Sequence, residues 1–498
     1  MSWSRPKAAF LAVAALTTVA LAFGVGSAHA TVTVNCPPYG NDNLQTAITA
    51  ASPGATILVK GTCAGHFTIP KNLTLSGSPS ATLNGQGTGR PLTIGAGVNV
   101  TLNNLMITGG YLTASGPPGA GGGIFSFNAT LTLNNCLVTG NTASAGGGIA
   151  SGTPGPTQAG MLTLNSTSVS NNVAFEGGAG GILNHNGTAV INNSQITGNT
   201  APGGGGIANG NGNGGAGGGG TLTINGSTIS GNSATGGPDG GAGGIANGGS
   251  LTMSNSTVSG NQAVGGTGGG IFNHGTATIT GSVITGNVAP NDSLGDQGFG
   301  GGVASINFGV DGSGVLQISS SQVTRNQAGL GGGILSGAFG GDTSLTVNST
   351  TISYNAVSGE QSGGGGIVNA SGGYDAELVV SGSTLIGNLA RQGLGGGIAN
   401  VSQGGEANAS ISSTTIGSTT LTPPYTLNPN QAAFGGGIFN WAQSGPASVA
   451  LSSGTLVIGN RASVSGGGVF NADGATLTTA GAQVLFNHPN NVVNDPTF

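Results

Sequence analysis

The chain reads as an all-β protein, a right-handed parallel β-helix solenoid with a short N-terminal capping helix. Three observations point there. Glycine-rich lines ending in Ile or Val recur at Ile124, Ile149, Ile182, Ile207, Ile245, Ile271, Val303, Ile334, Ile367, Ile398, Ile438 and Val469, at intervals of 25 to 40 residues. Self-similarity at such a period marks a stacked repeat, and the variable interval marks a fixed core with loops of differing length. Between the glycine lines run alternating segments such as LTLNN, LTINGS and ATITGS, followed by VTGN, ISGN or ITGN. Alternation of period two is the signature of a strand with one buried face, and no sustained helical period interrupts it. Three short strands per unit, stacked in register, make one coil of a β-helix.

Aligning the units on their closing Asn gives columns. The third position back reads Val138, Val169, Ile196, Ile229, Val258, Ile284, Val323, Ile352, Leu385, Ile416, Val457 and Val484. The fifth reads Cys136, Thr167, Ser194, Ser227, Ser256, Ser282, Ser321, Thr350, Ser383, Ser413, Thr455 and Ala482, with Ser418 in place of the closing Asn in the coil of Ile416. Like side chains stacked ~4.8 Å apart fill one continuous core. Two residues after each Gly-Ile stands Asn or Ser, as at Asn184, Asn209, Asn247, Asn273, Asn369, Asn400, Asn440 and Asn471. Stacked amides hydrogen-bond to one another and to turn backbone, which a buried polar group at a turn needs. The glycines supply the bend before the Ile strand, where a positive φ excludes other residues on steric grounds.

Composition fits this reading. Gly contributes 105 and Pro 20 of 498 residues, yet only 4% are charged. Disordered chains are highly charged and poor in β-branched residues, whereas this one is rich in Val, Ile and Thr. Residues 1–30 read as a secretory signal peptide: Arg5 and Lys7, then AAFLAVAALTTVALAFGVG, then SAHA ending at Ala30. An uncleaved anchor is the alternative, but the apolar run is shorter than the ~20 residues a span needs. Removing Arg5 and Lys7 takes the formal charge from −5 to −7. An exported, mildly acidic protein is expected, with no membrane-spanning segment in the mature chain. Nucleic acid is not an expected partner, because no basic patch is present to displace counterions.

Residues 31–110 are expected to hold the cap helix and first coils, 111–488 the repeat array, and 489–498 a C-terminal tail. In NDNLQTAITAAS (41–52), Leu44, Ala47, Ile48 and Ala51 follow i, i+3, i+4, i+7, and Asn41 or Asp42 can cap the start. Such a helix covers the open end of a stacked core. Cys36 and Cys63 flank it, and their pairing would staple that end. Cys136 stands in the Ser/Thr column and reads as a small buried side chain.

The repeated GGGI lines, Gly268–Ile271 and its relatives, alternate with Val138–Asn141 (VTGN) and Ile284–Asn287 (ITGN). In this they resemble the repeats of the chlamydial polymorphic outer membrane proteins, whose motifs are GG-Ala-Ile and Phe-x-x-Asn. The resemblance spans roughly residues 100 to 488. It implies a β-helix on a secreted or surface protein, with an adhesin-like role. Here Val or Ile, and Leu at Leu385, replaces the Phe. NNVVNDPT before Phe498 does not alternate as membrane strands do, so self-insertion into an outer membrane is not expected.

Fold alone does not assign function, since β-helices also carry polysaccharide lyases and glycoside hydrolases. A hydrolase needs two carboxylates at fixed separation, and a lyase needs a basic residue beside acidic metal ligands. Neither cluster stands in the sequence, and no catalytic residue is assigned. His66, His185, His274 and His488 are far apart and read as turn-surface side chains. The edge after the closing Asn mixes Asp292, Asp296, Glu360, Arg391 and Arg461, with Arg325 just before its Asn, and reads as a solvated edge. The other corner is more ordered. Asp311, Asp342, Asp375 and Glu406 each stand eight residues after their Gly-Val or Gly-Ile residue, in four successive coils. Phe308, Phe339, Tyr374 and Trp441 accompany them. Like charges at coil spacing repel unless loops splay, solvent screens them or a cation binds. Acids beside exposed aromatics suit sugar rings. The expectation is a glycan- or Ca²⁺-binding lip, set against a row of solvated loops. The function expected is therefore a non-enzymatic exported scaffold that binds an extracellular glycan, matrix or surface protein. A polysaccharide-active lyase or hydrolase is the alternative.

Overall fold

The computed structural model describes residues 31–115, 119–152, 160–210, 219–236, 241–291, 297–309, 314–358, 363–419, 421–422, 425–426 and 428–498. The expected signal peptide, Asp292, Asp296, Asp311 and Glu360 lie outside them.

One coil shows how the chain turns. The strand Ile271–Asn273 lies on the first face. Thr276–Thr280 and Val283–Thr285 form the second face, bent at Gly281 with φ of 58°. Val288–Ala289 forms the short third face. Each strand pairs in parallel with its counterpart one coil away, as in Ile271↔Val303, Ile279↔Ile318 and Ile284↔Val323. The result is an all-β parallel β-helix. Among the described residues the second, first and third faces stack 28, 15 and 11 strands.

The twelve Gly-Ile and Gly-Val positions form one unbroken column in register, each fully buried. The column runs further at both ends than the motif did. Phe67 and Leu92 precede Ile124, and Val492 follows Val469. Residues 492–495, within the segment expected as a tail, are thus one more strand of the first face. In the sample coil Ile271, Ile279 and Ile284 fill the lumen. Burying each such side chain contributes roughly 1.5–3 kcal/mol, but only when a neighbouring coil covers it.

The glycine triplet has three separate causes. Gly268 turns the chain with φ of 82°. A Cβ on Gly269 would lie 2.5 Å from Gly301 O of the next coil, and one on Gly270 would lie 3.0 Å from the Asn287 amide nitrogen. Positive φ therefore explains only the first glycine. The other two are glycines because the backbone is approached closely by the next coil and by the closing Asn. The turn also brings Phe299 and Leu330 against a second apolar cluster containing Phe272, Ala304 and Leu335, outside the lumen.

At the N-terminal end the helix Leu44–Ala50 buries Leu44 and Ile48 against the core. Its N-cap is Asn43, whose side chain accepts from Thr46 N at 3.0 Å. The cap is thus neither Asn41 nor Asp42, and Asp42 instead accepts from Asn35 N at 2.8 Å. Cys36 and Cys63 form a disulfide, with Cα atoms 5.1 Å apart.

Two column assignments change. Thr414, fully buried, fills the Ser/Thr column, its hydroxyl accepting from Ser383 N at 3.3 Å. Ser413 takes the preceding left-handed turn position, φ 47°. The closing Asn of that coil is Asn430, not Ser418. Ser418 is buried, its N–H donating to Ile458 O at 3.1 Å, but Asn430 is the residue that stands between Asn388 and Asn460, with amide contacts of 3.0 and 2.9 Å. A serine hydroxyl lacks the two amide donors this column uses, and Asn430 keeps the ladder unbroken.

Candidate functional site

The corner between the first and second faces carries the expected lip. Its base is the buried Asn/Ser column, and the loops beyond that column differ from coil to coil. Phe308 and Phe339 lie in successive coils with ring centroids 6.4 Å apart and planes 23° apart. They are 52% and 38% exposed, so part of each ring is open to solvent although Phe308 is stacked between His274 and Phe339. Gly372 leaves the space: a Cβ there would lie 2.3 Å from Phe339 Cδ1. Tyr374 is also exposed, at 47%.

The acids are linked from coil to coil through main-chain N–H groups. Asp342 Oδ1 accepts from Asp375 N at 3.0 Å, and Asp375 Oδ1 accepts from Glu406 N at 2.9 Å. The Asp342 and Asp375 carboxylates are thus each held by a main-chain N–H of the next coil, which offsets the repulsion along the row, and Glu406 Oε2 accepts from the Asn408 amide at 3.1 Å. All three side chains are exposed. Asp342, Asp375, Glu406, Phe308, Phe339 and Tyr374 therefore share one corner, and Asp311 lies outside the described residues. Among the described residues no group of three or more His, Cys, Asp or Glu side chains is placed to hold a metal ion.

Trp441 belongs elsewhere. Its indole N–H donates to Asp473, and its ring meets Phe439 and Phe498 edge-on at 6.1 and 5.7 Å. Spacing from the Ile column placed it at the same corner, but register pairs it with Val401, above a separate aromatic cluster.

His274 is the residue that the sequence reading misplaced. It is 2% exposed, not on the turn surface. Phe308 of the next coil stacks on it at 6.4 Å and 20°, and Phe272 meets it edge-on. Burial lowers its pKa below the ordinary 6.5. The stack is thus His274, Phe308, Phe339, with the buried imidazole as its inner end. Sequence carried a signal for it: His274 stands three residues after Ile271, and Phe308 overreaches by two. His185 instead stacks on Phe127 at 6.1 Å.

Cys136 is buried, and burial pushes its thiol up to about 11. It offers no nucleophile. Among the described residues no helix is long and apolar enough to cross a membrane. No family model matches the chain, and no curated protein matches it.

Proposed function

We propose that the chain is an exported, non-enzymatic β-helix scaffold, adhesin-like in role, that binds an extracellular glycan along the corner of Phe308, Phe339 and Tyr374. The carrying observation is the half-exposed Phe308–Phe339 stack beside the exposed carboxylates of Asp342, Asp375 and Glu406. Aromatic faces take the C–H face of a pyranose, and a carboxylate oxygen accepts from its hydroxyls. Rings in successive coils repeat along the rod, which suits a ligand that is itself a repeat. The motif likeness to the polymorphic outer membrane protein repeats supports display at the cell surface, as does the leader-like segment 1–30.

The test has two arms. Fractionation should find the mature chain in the medium or envelope, and a glycan array should show binding that Phe308→Ala with Phe339→Ala removes. A cytoplasmic location, or an array with no binding, would overturn the proposal.

A further inference from the structure

The second corner, between the long second face and the short third face, carries an unexplained pair. The residue at this turn takes a positive φ coil after coil, and it is Gly260 and Gly286 on one side and Gly387 and Gly459 on the other. In two adjacent coils between them it is Arg325, φ 56°, and Tyr354, φ 57°. Bulky L side chains adopt this left-handed conformation at an energetic cost that glycine avoids. Asn171 and, in the last coil, Phe486 also depart from glycine, but only Arg325 and Tyr354 are adjacent in register.

The two side chains form a platform. The Arg325 guanidinium carbon sits 5.7 Å from the Tyr354 ring centroid. The ring lies over Gly387, where a Cβ would come within 2.8 Å of it. Beneath the pair, Thr324 and Ser353 are buried, with Ser353 Oγ donating to Thr324 Oγ1 at 3.2 Å. Thr285, at the same place one coil earlier, is only half-buried. Arg325 is exposed, and among the described residues no carboxylate pairs with it. Two other cations are committed to structure: Lys71 to the carbonyls of Thr49 and Ala51, Arg90 to those of Ala120 and Gly121.

We infer that Arg325 and Tyr354 form a binding site for an anionic sugar unit, a uronate or a sulfated residue, with the guanidinium fork on the acid group and the tyrosine ring against the sugar face. A planar fork recognises a carboxylate or sulfate bidentately, and an adjacent aromatic face adds stacking. The same two coils carry Phe308 and Phe339 at the opposite edge of the second face. Between the edges that face presents Gln317, Gln322, Thr346, Asn348 and Thr351, amides and hydroxyls suited to a polyhydroxylated chain. The inference extends the glycan reading to a second contact and names its ligand class, and it stands on different residues.

The test titrates the full mature chain with polygalacturonate, dextran sulfate and neutral dextran. Affinity for one of the two anionic polymers should exceed that for dextran and fall with salt. Arg325→Gly and Tyr354→Gly should each weaken it at least tenfold while raising the melting temperature by a few degrees, because the turn relaxes. Arg325→Lys should keep part of the affinity. Glycine variants that melt lower and bind as the parent does would make the pair structural and overturn the inference, as would a parent that does not prefer either anionic polymer. Phe308→Ala with Phe339→Ala bears on the other corner: unchanged binding there, with loss at Arg325→Gly, would sink the lip and leave this site standing.

Discussion

Asn287 Oδ1 accepts two hydrogen bonds from Asn261, from its main-chain N–H at 3.0 Å and from its side-chain amide at 2.9 Å. The Asn287 amide nitrogen in turn donates to Asn326 Oδ1 at 3.0 Å and to Val258 O at 2.9 Å. The pattern repeats from Asn141 through Asn172, Asn199 and Asn232, and continues through Asn355 and Asn388 to Asn430 and Asn460. Each amide serves two neighbours at once in a buried turn, so the column couples the coils.

Asn287→Leu should therefore destabilise the chain by about 3 kcal/mol or more, since each buried donor or acceptor left without a partner costs roughly 1–3 kcal/mol. Urea unfolding of the variant should show a clearly lower midpoint. An unchanged midpoint would mean that the ladder contributes nothing.

The other amide column, at the lip, is interrupted. Asn273 donates to Ser305 Oγ at 3.0 Å, and Ser336 Oγ donates to Thr343 Oγ1 at 3.3 Å, leaving buried Asn369 Oδ1 without a partner. Asn184 Oδ1, which follows Ser151, is orphaned in the same way. Changing Ser305 and Ser336 together to Asn should close the column from Asn273 to Asn369. A gain of about 1–2 kcal/mol is expected, read as a higher melting temperature. A drop would show that the turn has no room for the amides.

Cys136 should resist alkylation in the folded protein at pH 8, because a thiol pushed up to about 11 is almost wholly protonated there and is also buried. Iodoacetamide should label it only after unfolding. Cys136→Ser should fold normally, since Ser and Thr fill the rest of that column. Rapid labelling of the native chain would contradict its placement.

His274 makes stability depend on pH in one direction. Its folded pKa lies below the ordinary 6.5, so as pH falls the unfolded chain takes up the proton first. Its contribution is complete above about 6.5 and is lost below that value. Among the described residues, the rings around it are Phe272 and Phe308, which offer no counter-charge. Between pH 7 and pH 5 the parent should lose more melting temperature than His274→Leu. Parallel curves would show that the imidazole is solvated.

The repeat was legible because its causes are local and recur: alternation sets the strands, and the Ile and closing Asn columns set the register. What escaped was set between coils. Asn430 was hidden because it stands 14 residues after Ile416, where the other coils have three. Gly269 and Gly270 looked like bends, but their need for glycine comes from the next coil's carbonyls. His274 looked solvent-facing because its cover, Phe308, belongs to the following coil. Trp441 matched the lip by spacing, yet its N–H found Asp473. At the lip, sequence put the acids and rings on one corner. It did not show that main-chain N–H groups of the next coil donate to Asp342 and Asp375.

The central claim is that the repeats build the rod and the unlike loops carry the function. Calorimetric titration of a glycan selected by array against the parent and against Phe308→Ala with Phe339→Ala tests it most directly. Phe308 covers His274, so the double variant should melt somewhat lower than the parent but keep its strand content by circular dichroism, while its affinity falls at least tenfold. Equal affinity in parent and variant, with the fold intact, would contradict the account.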